Sequence, residues 1–226
     1  MKKRILLLIG ALVIGMLVLA ACTARPGQQG RPYPYGLGGW MGSGMMGPGG
    51  MMDGWGRYNP DAEQITIDDA AQVVERYLRD YSNQSLAVEE VMDFAWNYYA
   101  EVEEEDGGIH AMELLIDKYS GRVYPEMGPN MMWNTKYGMM RSYYGSPTAK
   151  MPVNAEKAKE IAQNFLDVNL PGFSVIEADI FYGYYTLHTM KNGQIEGMLS
   201  VNGYNGSVWY HNWHGPFIAI KEFGEH

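Results

Sequence analysis

The chain has 226 residues, of which 46% are hydrophobic and 19% are charged, and its formal net charge is -9. This acidic balance argues against a nucleic-acid-binding protein, which needs a basic face for phosphates. The single cysteine excludes an internal disulfide, a Cys-x-x-Cys redox centre and a cysteine-ligated iron–sulfur cluster. An excess of glycine, tyrosine and methionine remains, and its position along the chain is informative.

Residues 1–21 have the pattern of a bacterial lipoprotein signal peptide. Basic residues at 2–4 precede an uncharged apolar run that ends in Leu19-Ala20-Ala21-Cys22. This ending resembles a bacterial lipobox, whose cysteine is lipidated and becomes the N-terminus after cleavage. We therefore predict lipidation of Cys22 and a membrane-anchored location on the extracytoplasmic side of the cell envelope, at the outer membrane or periplasm if the host has two membranes. The alternative is an uncleaved anchor with an incidental cysteine.

Residues 22–62 are predicted to form a flexible tether. Residues 24–60 contain twelve glycines and five prolines, and such a composition cannot offset the entropy cost of ordering. Globular composition begins after this segment. The chain is therefore divided into a first repeat (63–126), a connector rich in methionine and aromatic residues (127–151), a second repeat (152–216) and a C-terminal tail (217–226).

The first repeat is predicted to contain one helix followed by strands. Thr66 followed by acidic residues is typical of a helix start, and apolar residues follow at helical spacing. Glu101, Glu103 and Glu105 alternate along one strand, and we interpret their shared face as solvated, with a Ca²⁺ or basic-partner site as the alternative. The strands are predicted at 86–94, 96–104, 109–117 and 122–124. The opposite face is predicted to form the core with the facing residues of the next strand: Tyr98, Ala100, Val102, Met112, Leu114 and Ile116.

The second repeat is predicted to follow the same order. Asn154 caps a helix that Pro171-Gly172 ends, and Asn192-Gly193 has the composition of a two-residue hairpin turn. The strands are predicted at 173–180, 181–190, 195–202 and 208–211.

The two halves align with each other at offsets of 85 to 88 residues. One example is an aromatic-x-Gly-x-Val segment that occurs at 119–123 and again at 204–208. This internal repeat predicts an α+β fold of two tandem repeats, each with one helix packed on a small antiparallel β-sheet. Because units of about 60–75 residues are marginal for a solitary core, they are expected to pack together or to share a continuous sheet.

The strand–turn–strand segments resemble those of PepSY-type domains. In the second half Leu199-Ser200-Val201-Asn202 leads into the turn, and in the first half Asp117 stands where the family favours an acid. Asn202 at the corresponding position departs from that pattern.

The resemblance covers roughly residues 65–125 and 150–212. It implies an extracytoplasmic, non-catalytic domain with a role in binding or inhibiting peptidases.

The sequence contains none of the catalytic motifs that we considered. It lacks His-Glu-x-x-His, Gly-x-Ser-x-Gly, a Walker loop and a Gly-x-Gly-x-x-Gly between a strand and a helix. We predict that the protein is not an enzyme, and an envelope enzyme of unknown type is the third hypothesis.

Histidines near the C-terminus supply candidate metal ligands. His211 and His214 face opposite sides of a regular strand, but a turn after Tyr210 would bring them together, and His188 lies on a hairpin that could neighbour them. Three imidazoles suit copper or zinc. The alternative is ordinary edge or interface histidines.

Methionines in the tether supply a second set of candidate ligands. Clustered thioethers in a chain without free cysteine suit Cu(I) or Ag(I), and low-complexity drift is the alternative. The methionines are Met41, Met45, Met46, Met51 and Met52. With the histidines, they support the alternative function of a periplasmic copper- or silver-binding protein.

The late aromatic residues exceed what a small sheet can bury, which predicts an inter-repeat interface or a recognition surface. The residues assigned to partner binding are Tyr182, Tyr184, Trp209 and Trp213. The leading hypothesis is a membrane-anchored lipoprotein that acts as a non-catalytic binding module for a protein or peptide, including a peptidase.

Overall fold

The computed structural model describes residues 63–81, 85–143 and 150–223. The predictions for the signal peptide, for Cys22 and for the tether concern residues 1–62 and therefore lie outside the described residues. Within the described ranges, no helix combines the length and the apolar composition that crossing a membrane requires.

Three α-helices and ten β-strands make up the regular structure of the described residues. The helices are α1 (Ile67–Tyr81), α2 (Pro129–Trp133) and α3 (Ala155–Asn169). The strands are β1 (Leu86–Phe94), β2 (Tyr98–Glu104), β3 (His110–Ile116), β4 (Val123–Pro125), β5 (Phe173–Val175), β6 (Asp179–Phe181), β7 (Tyr184–Lys191), β8 (Gln194–Asn202), β9 (Val208–Tyr210) and β10 (Phe217–Glu222). A single 3-10 turn, Arg141–Tyr143, follows α2.

The strands form one mixed sheet, and the predicted α+β class is confirmed. The strand order is β10-β1-β2-β3-β6-β7-β8-β9, with β4 beside β3 and β5 beside β7. All pairings are antiparallel except that of β3 with β6, which joins His110 to Phe181 in parallel. The strands of the two halves therefore share one sheet and do not form two separate small sheets.

The sheet is strongly curled, because its two edge strands follow each other in sequence. In a flat sheet of this order β9 and β10 would lie roughly 34 Å apart, since neighbouring strands are about 4.8 Å apart. Only six residues, 211–216, join them, and such a segment reaches at most ~24 Å. Met198 of β8 accordingly packs with Phe217 and Ile220 of β10. The curl gives the sheet an outer and an inner face.

The two long helices cover the outer face. Thr66 caps α1 by accepting a hydrogen bond from the Asp69 backbone at 3.1 Å, and Asn154 caps α3 by accepting one from Lys157 at 2.9 Å. Both predicted caps are confirmed. Each helix packs on its own group of strands. The buried core under α1 includes the six residues predicted from strand alternation: Tyr98, Ala100, Val102, Met112, Leu114 and Ile116. The core under α3 contains Tyr185, Leu187, Leu199 and Val201 from the strands.

The inner face is also buried, but it is rich in polar groups. Along each strand, the residues that alternate with the outer core point inward. Inward apolar residues form a third cluster around Met92, Phe94, Tyr99 and Leu115. Inward polar residues are Glu90, Glu101, Glu113, Thr186, His188 and Ser200, and all six are buried. Of the three acids predicted to share a solvated face, Glu101 is buried because the curl of the sheet covers it, whereas Glu103 is half-buried and Glu105 is exposed.

The segment assigned to a C-terminal tail contributes a strand to the sheet. Residues 217–222 form β10, which pairs antiparallel with β1 of the first half. The connector also packs on the fold, because the Thr135 backbone N–H donates to the Tyr182 carbonyl at 2.8 Å. Asn130 and Asn134 of the connector bond the backbone of β3.

We predict that the packing of the connector against the turn before β7 makes Gly183 irreplaceable. Gly183 has φ 103°, and a Cβ there would lie 2.4 Å from the Trp133 carbonyl oxygen, whereas Gly193 has φ 77° and open space around it. Gly193→Ala should therefore lower the free energy of unfolding by about 1 kcal/mol through backbone strain alone. Gly183→Ala should lower it by roughly 3 kcal/mol, because overlap adds to strain.

Urea unfolding of the full chain in detergent, followed by tryptophan fluorescence, measures both values. Equal losses in the two variants would contradict the close contact between the connector and this turn.

Candidate metal centre

Two groups of histidine and carboxylate side chains lie on the inner side of the curled sheet. The first, called the Glu126 site, consists of Glu126, His211 and His214. The second, called the Glu101 site, consists of Glu89, Glu101 and His110. In each group, one ligand atom from every residue lies within 4.8 Å of the others.

The Glu126 site joins distant parts of the chain. Glu126 follows β4, and its backbone N–H donates to the Glu113 carbonyl at 2.9 Å. Strand β9 ends at Tyr210, and the turn that follows brings the rings of His211 and His214 to a centroid separation of 5.8 Å. The three side chains are at most 2% exposed. The site is therefore closed to solvent.

A neighbouring amide fixes the orientation and the tautomer of His214. Asn97 donates from its side-chain nitrogen to the Trp213 carbonyl at 3.3 Å, and its Oδ1 lies 2.9 Å from His214 Nδ1. Because an amide oxygen only accepts, His214 Nδ1 must carry the proton. The lone pair of the neutral ring is then on Nε2, the atom that faces Glu126.

A chain of hydroxyl groups orients His211 in a similar way. Its Nε2 lies 2.9 Å from Ser200 Oγ, which is 3.0 Å from Thr186 Oγ1. Thr186 donates to Glu113 Oε1 at 2.7 Å. Because the Thr186 hydroxyl proton is used in that bond, Ser200 must donate to Thr186 and accept from His211 Nε2. The lone pair of a neutral His211 is therefore on Nδ1, which also faces Glu126. Such outer partners are typical of metal-binding histidines.

The facing atoms of Glu126, His211 and His214 are close but do not make hydrogen bonds with one another. Glu126 Oε1 lies 3.0 Å from His214 Nε2 and 3.5 Å from His211 Nδ1. Neither nitrogen is placed for an N–H···O hydrogen bond, and Glu126 Oε2 has no hydrogen-bond partner. Two ligand atoms of a tetrahedral zinc ion lie roughly 3.3 Å apart. The spacing is that of atoms around an ion.

The charge balance of the site also leaves room for a cation. Burial favours the neutral carboxyl, but the imidazoles of His211 and His214 outweigh burial and hold the pKa of Glu126 well below its usual range. Burial lowers the pKa of His214. Among the described residues, no lysine or arginine forms an ion pair with Glu126. The lowered pKa of Glu126 requires positive charge on an imidazole, and a metal ion bound between the three side chains would supply that charge in its place.

His188 does not join His211 and His214. Its Nε2 forms a hydrogen bond with Glu90 Oε1 at 3.1 Å. The predicted set of three imidazoles is therefore divided, because β7 and β8 place His188 on a different part of the inner face. The five tether methionines lie outside the described residues.

The four aromatic residues assigned to partner binding do not form an exposed surface. Tyr184 and Trp213 are buried, and Tyr182 and Trp209 are half-buried. Trp213 stacks on the His211 ring at a centroid distance of 4.6 Å and donates to Glu126 at 3.1 Å. Tyr184 and Trp213 therefore belong to the interior of the curled sheet, whereas Tyr182 and Trp209 keep part of their surface exposed.

Three residues of the candidate sites, Glu89, His110 and Glu126, were not assigned to a site from the sequence. Glu126 is an isolated acid after a short strand, and no motif marks it. Glu101 was expected on a solvated face, but it is 1% exposed. The only local signal was its position on the face opposite the predicted core.

Comparisons with known proteins leave the family of this chain open. No protein-family model matches the chain, and no curated protein matches it. A solved structure, the Bacillus megaterium YpeB C-terminal domain, is similar at 13% identity with a TM-score of 0.24, over 65% of this chain and 62% of that chain. The matched part thus spans less than two thirds of that structure, and a likeness at this level supports no inference about fold or function.

We predict that acids on the inner face make the metal-free protein less stable as pH rises. Burial, then Glu101, raises the pKa of Asp179 to about 8. The folded state therefore holds this proton more tightly than the unfolded state, so stability is lost between the ordinary pKa near 4 and pH 8. His188 acts in the same direction above pH 6.5: burial opposes its charge, but Glu90 outweighs burial and raises its pKa to about 9.

Between pH 5 and pH 8, Asp179→Asn should reduce the loss of unfolding free energy by about 3 kcal/mol. The measurement is urea unfolding in EDTA at both pH values. Asp80→Asn, on the exposed side of α1, is the control and should follow the parent protein. If the unfolding free energy of the Asp179 variant fell with pH as steeply as that of the parent, the raised pKa of Asp179 would be contradicted.

Proposed function

We propose that this chain is a lipid-anchored, extracytoplasmic, non-catalytic binding protein whose ligand is a divalent transition-metal ion. The ion is held by Glu126, His211 and His214. The observation that carries the proposal is the convergence of two oriented imidazole nitrogens and a carboxylate, all buried and none hydrogen-bonded to another. Two imidazoles with a carboxylate suit Zn²⁺ or Cu²⁺.

Burial of the site supports binding without catalysis. A catalytic zinc ion keeps an open coordination position for water or substrate, whereas structural sites are closed. The ligand side chains are at most 2% exposed, so no substrate can reach the ion in this conformation. The ion would also join the two halves, because Glu126 comes from the first and both histidines come from the second.

Two matching turns support the tandem PepSY-like repeat. Asp117 Oδ1 accepts from the backbone of Tyr119 and Ser120 at 3.1 and 2.7 Å. Asn202 Oδ1 accepts from the backbone two and three residues later at 2.9 and 3.1 Å. The glycine of each turn, Gly121 or Gly206, donates back to the carbonyl of that first residue. The substitution of Asp by Asn therefore preserves the turn.

Metal binding takes precedence over a protein or peptide partner because none of the four assigned aromatic residues is fully exposed, and Tyr184 and Trp213 are buried. Copper(I) binding by the tether methionines stays a separate prediction, since thioethers favour the softer ion. The repeat, the lipid anchor and the absence of catalysis are parts of the same proposal.

The metal proposal predicts that single ligand changes abolish tight binding. In calorimetric titration of the full chain in detergent, His211→Gln, His214→Gln and Glu126→Gln should each weaken Zn²⁺ binding at this site by more than about 100-fold. His188→Gln is a matched control, because it is also a buried histidine of the inner face, and it should bind as the parent does.

Copper supplies a readout of position. Because Trp213 stacks on His211, Cu²⁺ at the site should quench its fluorescence, and the quenched component should vanish in Trp213→Phe. Equal Zn²⁺ affinity in the His188 and His214 variants would refute the site.

The anchor is tested separately at Cys22. The parent protein should incorporate labelled fatty acid and sediment with membranes, whereas Cys22→Ala should incorporate none, because the thiol is the acceptor. Labelling of the Cys22→Ala variant at the parental level would contradict lipidation at this residue.

A further inference from the structure

The Glu101 site is built by two β-bulges. In the pairing of β1 with β2, Val88 faces Val102 and Glu90 faces Glu101, so Glu89 is an extra residue. The bulge lets two successive carboxylates, Glu89 and Glu90, face the inner side, which a regular strand forbids.

The second bulge turns His110 toward the same point. In the pairing of β2 with β3, Val102 faces Met112 and Glu103 faces His110, so Ala111 is the extra residue. Without it, His110 would share the outer face with Met112. Bulges that re-aim side chains are common next to functional sites.

The contacts of His110 differ from those of an ordinary hydrogen-bonded ion pair. His110 Nδ1 lies 2.7 Å from Glu89 Oε2 and closer still to Glu101 Oε1. None of these three atoms makes a hydrogen bond, because the carboxylates lie off the direction of a ring N–H. On the same face, His188 and Glu90 do form one at 3.1 Å. The His188–Glu90 pair is therefore an internal reference for the hydrogen bond that the His110 cluster lacks.

Glu101 is aimed into the cluster from a buried position. Its Oε2 accepts from the Tyr99 hydroxyl at 3.0 Å, while Oε1 points at His110 without a hydrogen bond. The residue is 1% exposed. A buried carboxylate oxygen without a hydrogen bond is costly unless a cation compensates it.

The charges around the cluster are unbalanced. The carboxylates are Glu89, Glu90, Glu101 and Asp179, and the imidazoles are His110 and His188. Among the described residues, no lysine or arginine forms an ion pair with these carboxylates. With both imidazoles protonated, the four acids still exceed the positive charges by two, and in the metal-free protein this excess is met by protons held on the acids. Burial accordingly raises the pKa of Glu101.

We propose that Glu89, Glu101 and His110 form a second cation site, distinct from the Glu126 site. Two carboxylates and one imidazole suit a divalent ion of borderline hardness, Zn²⁺ or Mn²⁺. The ion takes the place of the proton on His110 Nδ1, which adds one net positive charge, and one of the surrounding acids keeps its proton. This site shares no ligand with the Glu126 site, so each ion is lost through substitutions of its own ligands.

Metal stoichiometry tests this site. The full chain in detergent is stripped with EDTA, loaded with Zn²⁺, desalted and analysed by elemental mass spectrometry. The parent should retain two zinc ions per chain. Glu101→Gln and Glu89→Gln should each retain one, and so should His211→Gln. Glu90→Gln, the same substitution at the hydrogen-bonded reference pair, should retain two.

Each outcome decides between the two sites. If the parent retains one zinc ion and His211→Gln retains none, the second site is overturned and the first is kept. Two ions in both Glu101→Gln and Glu89→Gln also overturn the second site, and none in the parent overturns both. Near-ultraviolet circular dichroism verifies folding, which Glu101→Gln should preserve because it removes an uncompensated buried charge. The half-buried Glu89 provides the milder variant.

Discussion

The pairing of β10 with β1 is the contact on which the rest of the structure depends. It carries the end of the chain back to the first half and forces the ten-stranded sheet to curl. The curl removes the inner face from water. Acids and histidines on that face then lose their solvation and must be compensated by one another, by protons or by ions. The charge state of the inner face is therefore a consequence of topology.

On the inner face, hydrogen bonds link the polar side chains into one continuous series. Glu101 and Glu113 both lie 3.0 Å from the Tyr99 hydroxyl, and Glu113 continues through Thr186 and Ser200 to His211. Strands of both halves contribute to it. Burial and the neighbouring acids raise the pKa of Glu113 well above its usual range. The two candidate metal sites thus lie at opposite ends of one hydrogen-bonded path, and charge added at one end is felt along it.

Much of the fold could be predicted because its determinants are local. Helix caps at Thr66 and Asn154 and the alternation of Tyr98, Ala100 and Val102 depend on neighbouring residues, and these predictions hold. The burial of Glu101 could not be predicted in the same way. Alternation identifies two faces of a strand, but which faces are buried depends on a strand more than 100 residues away.

The candidate site shows the same division between local and distant information. A turn after Tyr210 was named as the condition under which the two histidines would converge, and their rings do lie 5.8 Å apart. Glu126, which completes the site, lies far from both in sequence and has no motif. The bulges at Glu89 and Ala111 are likewise invisible to a period-two pattern, because they are defined by the register of a partner strand.

The position of β10 at the very end of the folded region has a consequence for how the molecule is made. A polypeptide is synthesised from its N-terminus, and early segments begin to fold before later ones exist. Until residues 217–222 arrive, β1 has an unpaired edge and the acids beside it face water. The interior is thus desolvated only after β10 has been made. A chain cut short by a dozen residues would retain nearly all its strands but have an open, hydrated and acidic groove.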